Sequence, residues 1–226
     1  MTHDDDVARL SAHVEETLPR DEWAGWPGGW RGQSELALLD AVFSISARYG
    51  GEDTGVRRVV KAYRDRPGAT GADDLRTLAA FDAEELAALV GNRQRVSGRL
   101  KADAVVEAAA HLVAAGATSS DNVDPTAHKS AYTSVHGLGS QTWHYFCMLL
   151  GREEVKADRW IIRFVEDALG RPSTADESHR LLHAVAERLG ASPTALDHAI
   201  WSATREPAGN ADTTGGPDMA TREDGA

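Results

Sequence analysis

Residues 135–142 read VHGLGSQT, an apolar stretch follows them, and residues 156–160 read KADRW; this segment decides the fold of the chain. Two glycines spaced G-x-G where a helix starts let a phosphate approach the backbone N–H groups, and the helix adds the positive end of its dipole. Asp158 follows Gln141 by 17 positions and starts the next helix. The segment therefore predicts a helix-hairpin-helix that binds a phosphate backbone close to a single carboxylate.

Each half of this pattern also has a purely structural interpretation. A lone G-x-G sequence is common in ordinary turns, and Asp is a favoured N-cap residue, so Asp158 is expected to cap the helix that begins at Arg159. A carboxylate fixed at the start of a helix is also well oriented for chemistry. Capping and function at Asp158 are therefore compatible.

The composition is that of a globular protein. The chain has 226 residues, of which 42% are hydrophobic and 26% charged, which is enough to bury a sizeable core. It contains no run of about 18 apolar residues, and its acidic start lacks the hydrophobic stretch of a secretory signal. We therefore expect a cytoplasmic protein that does not enter a membrane.

Cysteine content limits the possible cofactors. Cys147 is the only cysteine of the chain. A single cysteine excludes an intrachain disulfide, a zinc site made of cysteines and a four-cysteine iron–sulfur cluster.

The net charge of −11 is concentrated at the two ends. Residues 1–6 contain three Asp and no Lys or Arg, and residues 206–226 contain five acids and one Arg, so the rest of the chain is near −4. A weakly acidic body can bind DNA through a local basic patch, with modest affinity that falls as salt is added.

Hydrophobic spacing predicts an all-α protein. Apolar residues recur at helical intervals along most of the chain, and no stretch alternates as a strand would. Residues after about 206 are rich in Gly, Pro, Asp and Thr, and we expect them to be disordered. The ten predicted helices span 7–18, 34–49, 53–65, 82–90, 98–115, 125–135, 139–150, 159–169, 176–190 and 192–204.

The hairpin and the aspartate together resemble the helix-hairpin-helix DNA glycosylases of the endonuclease III superfamily, the HhH-GPD family. Residues 38–44 are similar to the first core helix of that family, and residues 92–105 to its basic loop and long helix. Residues 196–201 are similar to its late helix. The resemblance covers roughly residues 34–204.

The resemblance implies two helical lobes around a DNA-binding cleft, with DNA across its mouth and one nucleotide flipped inside. The expected parts are an N-terminal segment that packs with the C-terminal lobe (1–33), a lobe with the hairpin at about 125–150 (34–150), a C-terminal lobe with the catalytic aspartate (151–205) and the tail (206–226).

The resemblance also implies the chemistry. Asp158 would face the sugar of the flipped nucleotide, and Gln141 stands where strand-nicking members carry a Schiff-base lysine. Glutamine cannot form that adduct, and nothing in the sequence places the Lys156 amine there. We expect a monomeric, nucleoid-associated, monofunctional glycosylase acting on duplex DNA with a damaged or modified base. The alternatives are a non-catalytic helix-hairpin-helix DNA-binding protein and a protein-interaction domain of the same fold.

We also expect further residues to contact DNA. The basic run at 93–101 is equally typical of a solvated helix start. The residues expected at the DNA backbone are Gly137, Leu138, Gly139, Thr142, Arg93, Arg95 and Lys101. Those expected in the base pocket or as a wedge in the duplex are Arg48, Tyr49, Trp143 and His144. A Na⁺ or K⁺ ion at the hairpin would use backbone oxygens of Thr133, Val135 and Leu138.

Two other features have open interpretations. His179 and His183 are spaced i, i+4 and could share a metal, but no third ligand is evident in the sequence, which favours an exposed polar face. Trp23, Trp26 and Trp30 lie in a segment rich in Gly and Pro. They would either stack on a base or cap the hydrophobic core.

Overall fold

The computed structural model describes residues 2–23, 26, 28–47 and 54–204, and this part of the chain is almost entirely helical. The all-α prediction is confirmed. Its helices are α1 (His3–Thr17), α2 (Ser34–Phe43), α3 (Gly55–Arg64), α4 (Leu75–Ala79), α5 (Ala83–Leu89), α6 (Lys101–Ala114), α7 (Lys129–Thr133), α8 (Ser140–Leu149), α9 (Arg159–Leu169), α10 (Ala175–Arg188) and α11 (Pro193–Thr204). Two short antiparallel strands, β1 (Arg95–Val96) and β2 (Arg99–Leu100), pair Arg95 with Leu100. The tail at 206–226 and the wedge residues Arg48 and Tyr49 lie outside the described residues.

Two hydrophobic cores divide the helices. The first core runs from α2 to α8, and all ten residues of α2 are buried because other helices of this lobe surround it. The second core joins α1 to α9, α10 and α11, with Val155 and Ala157 from the segment before α9. The N-terminal helix therefore packs with the C-terminal helices, and the hairpin lobe lies between them in the sequence.

The tryptophan-rich segment connects the two cores. Trp23 packs against the second core and donates its indole N–H to the carbonyl of Leu18, at 3.0 Å. Trp30 packs against the first core and donates to Oδ2 of Asp40, at 2.9 Å. These contacts agree with the core-capping interpretation and leave the two indole N–H groups satisfied inside the protein.

Gly29 shows how closely this segment lies against α8. A Cβ atom at Gly29 would lie 2.2 Å from the carbonyl oxygen of Leu149, and the neighbouring Trp30 donates its backbone N–H to that same oxygen, at 2.6 Å. Only glycine fits at position 29, so Gly29 and Trp30 lie directly against the end of α8.

The first helix of the hairpin is shorter than the sequence predicts. Apolar spacing predicts a helix over 125–135, whereas α7 spans Lys129–Thr133. Oδ1 of Asp124 accepts the backbone N–H groups of Thr126 and Ala127, at 2.8 and 2.7 Å, and holds these residues in a separate turn.

Two further predictions of secondary structure are wrong. The helix predicted over 34–49 ends at Phe43, and β1 and β2 are strands where none is predicted. Ser97 and Gly98 both have positive φ, 48° and 85°, which is the backbone of a tight two-residue hairpin turn. Strands of two residues are too short to show the alternation by which sequence reveals them.

Among the described residues, no helix combines the length and the apolar character needed to cross a membrane.

Candidate active site

The hairpin between α7 and α8 uses its two glycines differently. Gly137 has φ +93°, and a Cβ there would lie 3.1 Å from Oγ of Ser97 and from Cγ2 of Val96. Gly139 has φ −136°, and a Cβ there would meet nothing within 4 Å. The β1–β2 turn therefore supports the hairpin from below Gly137, and Gly139 presents its open side outwards.

Thr142 closes the first turn of α8. Its hydroxyl donates to the carbonyl of Gly139, at 2.8 Å, and lies 3.2 Å from the Gly139 N–H group. The side chain therefore orders the backbone of the hairpin, and its contact with DNA stays a prediction.

Asp158 is the N-cap of α9. Its Oδ1 accepts the backbone N–H groups of Trp160 and Ile161, at 2.9 and 3.3 Å, and the residue is half-buried. Both bonds go to the same oxygen, so capping does not consume Oδ2. The structural role expected of Asp158 is confirmed, and it fixes the carboxylate at the positive end of a helix dipole.

Gln141 joins the hairpin to the segment that carries this aspartate. Its side-chain amide donates to the carbonyl of Ala157, at 2.7 Å. Because Ala157 precedes Asp158 directly, this bond links the start of α8 to the start of α9. Gln141 is otherwise exposed to solvent.

An open groove of about 530 Å³ lies next to this bond, between the two lobes. Gln141 lines it together with Ile45, other hairpin residues and the start of α10 at Thr174–Asp176. The groove therefore gives a ligand held by the hairpin access to residues of both lobes.

A polar cluster lies next to Asp158, where the two lobes meet. The ammonium of Lys156 lies 3.7 Å from the ring centroid of Tyr145, whose hydroxyl donates to Oδ1 of Asp40, at 3.3 Å. The backbone N–H of Lys156 donates to Oδ1 of Asp197, at 2.9 Å. One cation and three carboxylates thus share a partly buried space.

Burial dominates the protonation of this cluster. It lowers the pKa of Lys156, against the attraction of Asp158, Asp197 and Asp40. It also raises the pKa of Asp197 to about 7, and the negative charge of Asp158 acts in the same direction, whereas the bond from the Lys156 N–H opposes it. The charge of the cluster therefore changes near neutral pH.

Lys101 does not reach a DNA backbone, and that prediction is wrong. Its side chain is 2% exposed, and its ammonium donates to the carbonyls of Phe43 and Ile45 and to Oε1 of Gln94, at 2.9, 2.7 and 2.9 Å. Burial lowers the pKa of Lys101 to about 8. The lysine thus satisfies two carbonyls at the end of α2, which ends at Phe43.

Trp143 is likewise no part of a base pocket. Its side chain is fully buried between Tyr132 and Phe146, and its indole N–H donates to the carbonyl of Pro125, at 2.9 Å. The aromatic residue after the hairpin is thus a core residue that fixes the turn before α7.

His144 is also wrongly assigned to the base pocket, and the expected exposed face at His179 and His183 is wrong. His144 is 8% exposed, and the three imidazoles surround the carboxylate of Glu154, which is buried. The i, i+4 spacing of His179 and His183 is the one feature of this group that the sequence shows. No sequence spacing indicates that Glu154 and His144 complete the group, because they come from two other elements.

The basic run differs residue by residue. Arg99 is held by ion pairs with Asp103, at 2.9 Å, and with Glu107. Arg93 is exposed but pairs with Glu84, at 2.6 Å. Arg95 is exposed on the turn that supports Gly137, with one guanidinium N–H bonded to a backbone carbonyl within that turn. Arg95 thus differs from Arg93 and Arg99, which are held by ion pairs in the described part of the chain.

The oxygens predicted for a hairpin cation lie at the expected turn. The carbonyl of Val135 accepts the N–H of Leu138, at 3.0 Å, which closes the turn. Binding of Na⁺ or K⁺ by Thr133, Val135 and Leu138 stays a prediction.

Solved structures with a similar fold include a DNA glycosylase and two proteins in complex with DNA. H. pylori 3-methyladenine DNA glycosylase (MagIII) bound to 1,N6-ethenoadenine aligns with a TM-score of 0.58 and 17% identity, over 89% of this chain and 94% of that one. A trapped endonuclease III–DNA covalent intermediate aligns with a TM-score of 0.55 and 15% identity, over 89% of this chain and 85% of that one. MBOgg1 in complex with a low-affinity DNA ligand aligns with a TM-score of 0.55 and 15% identity, over 91% of this chain and 71% of that one.

These alignments confirm the fold expected from the hairpin and the aspartate, that of the HhH-GPD glycosylases of the endonuclease III superfamily. A search of curated protein sequences finds no match to the chain. By sequence, the chain belongs to the family described as a domain of unknown function, DUF8548, whose model matches residues 8–205.

Proposed function

We propose that this protein is a monofunctional DNA glycosylase that flips a damaged or modified base out of duplex DNA and hydrolyses its N-glycosidic bond. The observation that carries the proposal is the Asp158 carboxylate, fixed at the start of α9 and joined to the hairpin helix through the Gln141–Ala157 bond. Similar folds occur in a glycosylase bound to a modified base and in endonuclease III trapped on DNA, which supports this assignment.

Asp158 would act on the sugar of the flipped nucleotide. Cleavage of a glycosidic bond builds positive charge on the sugar ring. A fixed carboxylate stabilises that charge without reorganisation, and its oxygen can orient or deprotonate the attacking water. Because capping uses Oδ1, Oδ2 is the atom we assign to this step.

Gln141 supports hydrolysis without strand cleavage. A carboxamide nitrogen is not a nucleophile toward the sugar, so no Schiff base forms at this position. We assign no chemical step to Lys156, whose ammonium packs on the ring of Tyr145. The product is an abasic site, and the strand stays intact until alkali is added.

The test uses duplex oligonucleotides, each with one modified base, including alkylated, deaminated and oxidised bases. Strand breaks are measured with and without hot alkali for the wild type and for Asp158→Asn. Asn is as good an N-cap as Asp, so the variant should fold and bind DNA. We expect excision to fall by about 10²-fold or more. Asp82→Asn is the matched control, because Asp82 caps α5 with the same geometry.

Each outcome has a defined meaning. Breaks that need alkali and disappear in Asp158→Asn support the proposal. Breaks without alkali, together with borohydride trapping that Lys156→Met abolishes, would show a lyase and overturn the monofunctional assignment. Duplex binding without excision of any base in the panel would favour the non-catalytic DNA-binding protein.

A further inference from the structure

Four side chains that can bind metals converge beside the segment that leads to Asp158. They are His144 of α8, Glu154, and His179 and His183 of α10. Oε2 of Glu154 lies 3.0 Å from Nδ1 of His144, 2.8 Å from Nε2 of His179 and 3.5 Å from Nε2 of His183. The ligand atoms of His144, Glu154 and His179 all lie within 4.8 Å of one another.

Hydrogen bonding alone does not satisfy this group. A carboxylate oxygen has two lone pairs, yet three imidazole nitrogens approach the same oxygen. Nε2 of His183 is buried and makes no hydrogen bond. The rings also lie close to one another, with centroids 4.0 Å apart for His144 and His179 and 4.5 Å apart for His179 and His183. A common partner at the centre would satisfy all of these nitrogens.

We propose that His144, Glu154, His179 and His183 bind one divalent transition-metal ion of the Zn²⁺ class. Imidazole nitrogen and carboxylate oxygen are ligands of such ions, at about 2.0–2.2 Å. Two ligand atoms of a tetrahedral site are then about 3.3 Å apart. The separations from Oε2 of Glu154, 2.8–3.5 Å, bracket this value. The ligand atoms of His144, Glu154 and His179 lie within 4.8 Å of one another, so side-chain rotation would have to bring the imidazole nitrogens to one ion.

Lys129 opposes metal binding. Its ammonium lies 3.3 Å from Nε2 of His144, which must then accept a hydrogen bond while Nδ1 carries the proton. Coordination through Nδ1 moves the proton to Nε2, which then faces the ammonium. Lys129 is half-exposed and can turn to solvent. Its removal should therefore strengthen binding of the ion.

The site would join three parts of the molecule. His144 comes from the first lobe, and His179 and His183 come from the second lobe. Glu154 precedes Asp158 by four residues, and Thr194 of α11 already fixes its backbone by accepting its N–H at 3.0 Å. Protein atoms supply all four ligands, which is typical of a structural site. The ion would hold the two lobes and the aspartate segment together.

The experiment is a Zn²⁺ titration of the full chain. The protein is treated with a chelator, and Zn²⁺ is added in competition with a chromophoric chelator, with thermal unfolding followed in parallel. We expect one equivalent of Zn²⁺ per chain, a higher Tm with Zn²⁺, and the absorption bands of tetrahedral Co²⁺ when Co²⁺ replaces it. Glu154→Gln and His179→Ala should lose these signals, whereas His3→Ala, at an exposed histidine, should retain them.

Lys129→Met keeps the proposal testable if the ligand variants fold poorly. It removes the opposing ammonium, so affinity for Zn²⁺ should rise about tenfold. Absence of stoichiometric binding by the wild type would overturn the proposal. Equal binding by wild type and by a folded His179→Ala variant would overturn it as well, as would weaker binding by Lys129→Met.

Discussion

At the scale of one residue, Asp158 caps α9, and the proposed function gives it a chemical task as well. Its Oδ1 accepts two backbone N–H groups of α9, a contribution of about 1 kcal/mol in typical helices. Asp82 does the same at the start of α5, with bonds to Glu84 and Glu85 at 2.8 and 3.2 Å. Capping therefore needs only one oxygen, and comparison of these two aspartates separates stability from chemistry.

Asp197 should make stability depend on pH. Its pKa is raised from 3.8 to about 7 by burial, with the charge of Asp158 adding to the shift and the Lys156 N–H opposing it. The folded state therefore binds this proton more tightly than the unfolded state. The stabilisation is present in full below about pH 4 and is lost as pH rises through about 7. Between pH 5 and pH 8, we expect the free energy of unfolding of Asp197→Asn to rise by about 1–3 kcal/mol relative to that of the wild type.

Urea unfolding at the two pH values measures this difference, because groups outside the cluster of Lys156, Asp40, Asp158 and Asp197 titrate alike in both proteins. Asp121→Asn, at an exposed side chain, should follow the wild type. Parallel curves for wild type and Asp197→Asn would show that the carboxyl is ionised throughout this range and would contradict the prediction.

At the scale of elements, the two glycines of the hairpin have different surroundings. Gly137 packs against the β1–β2 turn, and Gly139 faces open space, where we expect DNA. The two glycines are only two residues apart, so they form a matched pair for mutation.

Gly137→Ala should destabilise the protein, because the residue has φ +93° and its new Cβ would lie 3.1 Å from Ser97 and Val96. We expect a loss of about 1–2 kcal/mol. Gly139→Ala should change the free energy of unfolding by less than about 0.5 kcal/mol and weaken DNA binding, because its methyl group would stand where a phosphate approaches. Chemical denaturation and fluorescence anisotropy with a labelled duplex distinguish the two. Unchanged DNA affinity in Gly139→Ala would exclude this face of the hairpin from the interface.

At the scale of the whole molecule, the proposed function requires an acidic chain to bind DNA through local cations. The net charge is −11, and Arg99 and Lys101 are engaged within the protein. Arg95 is exposed on the turn that contacts Gly137. Association with DNA should therefore depend on few cations.

Arg95→Ala should weaken binding to undamaged duplex and reduce the slope of log K against log salt by about 1. Arg76→Ala is the control, because Arg76 is an exposed arginine of α4 that bonds to Asp74. Binding measured between low and physiological salt gives both slopes. A slope for Arg95→Ala equal to that of the wild type would remove Arg95 from the interface.

Much of this architecture could be predicted from the sequence, because local signals specify it. The G-x-G turn, the Asp158 cap and the helical spacing each depend on residues that are only a few positions apart. Lys101 and Glu154 could not be predicted in this way. Their partners lie in other elements, at Phe43 and Ile45 for Lys101 and at three histidines for Glu154. Buried polar groups that depend on tertiary contacts leave no pattern in the chain.

The split second core has a consequence for synthesis on the ribosome. The first lobe is continuous in sequence and can fold as soon as α8 has emerged, whereas α1 has no partner until α9 to α11 follow. The apolar face of α1, with Val7, Leu10 and Val14, therefore stays exposed during most of translation. A nascent chain of this kind invites chaperone binding at α1, and the groove between the two lobes is the last part of the molecule to form.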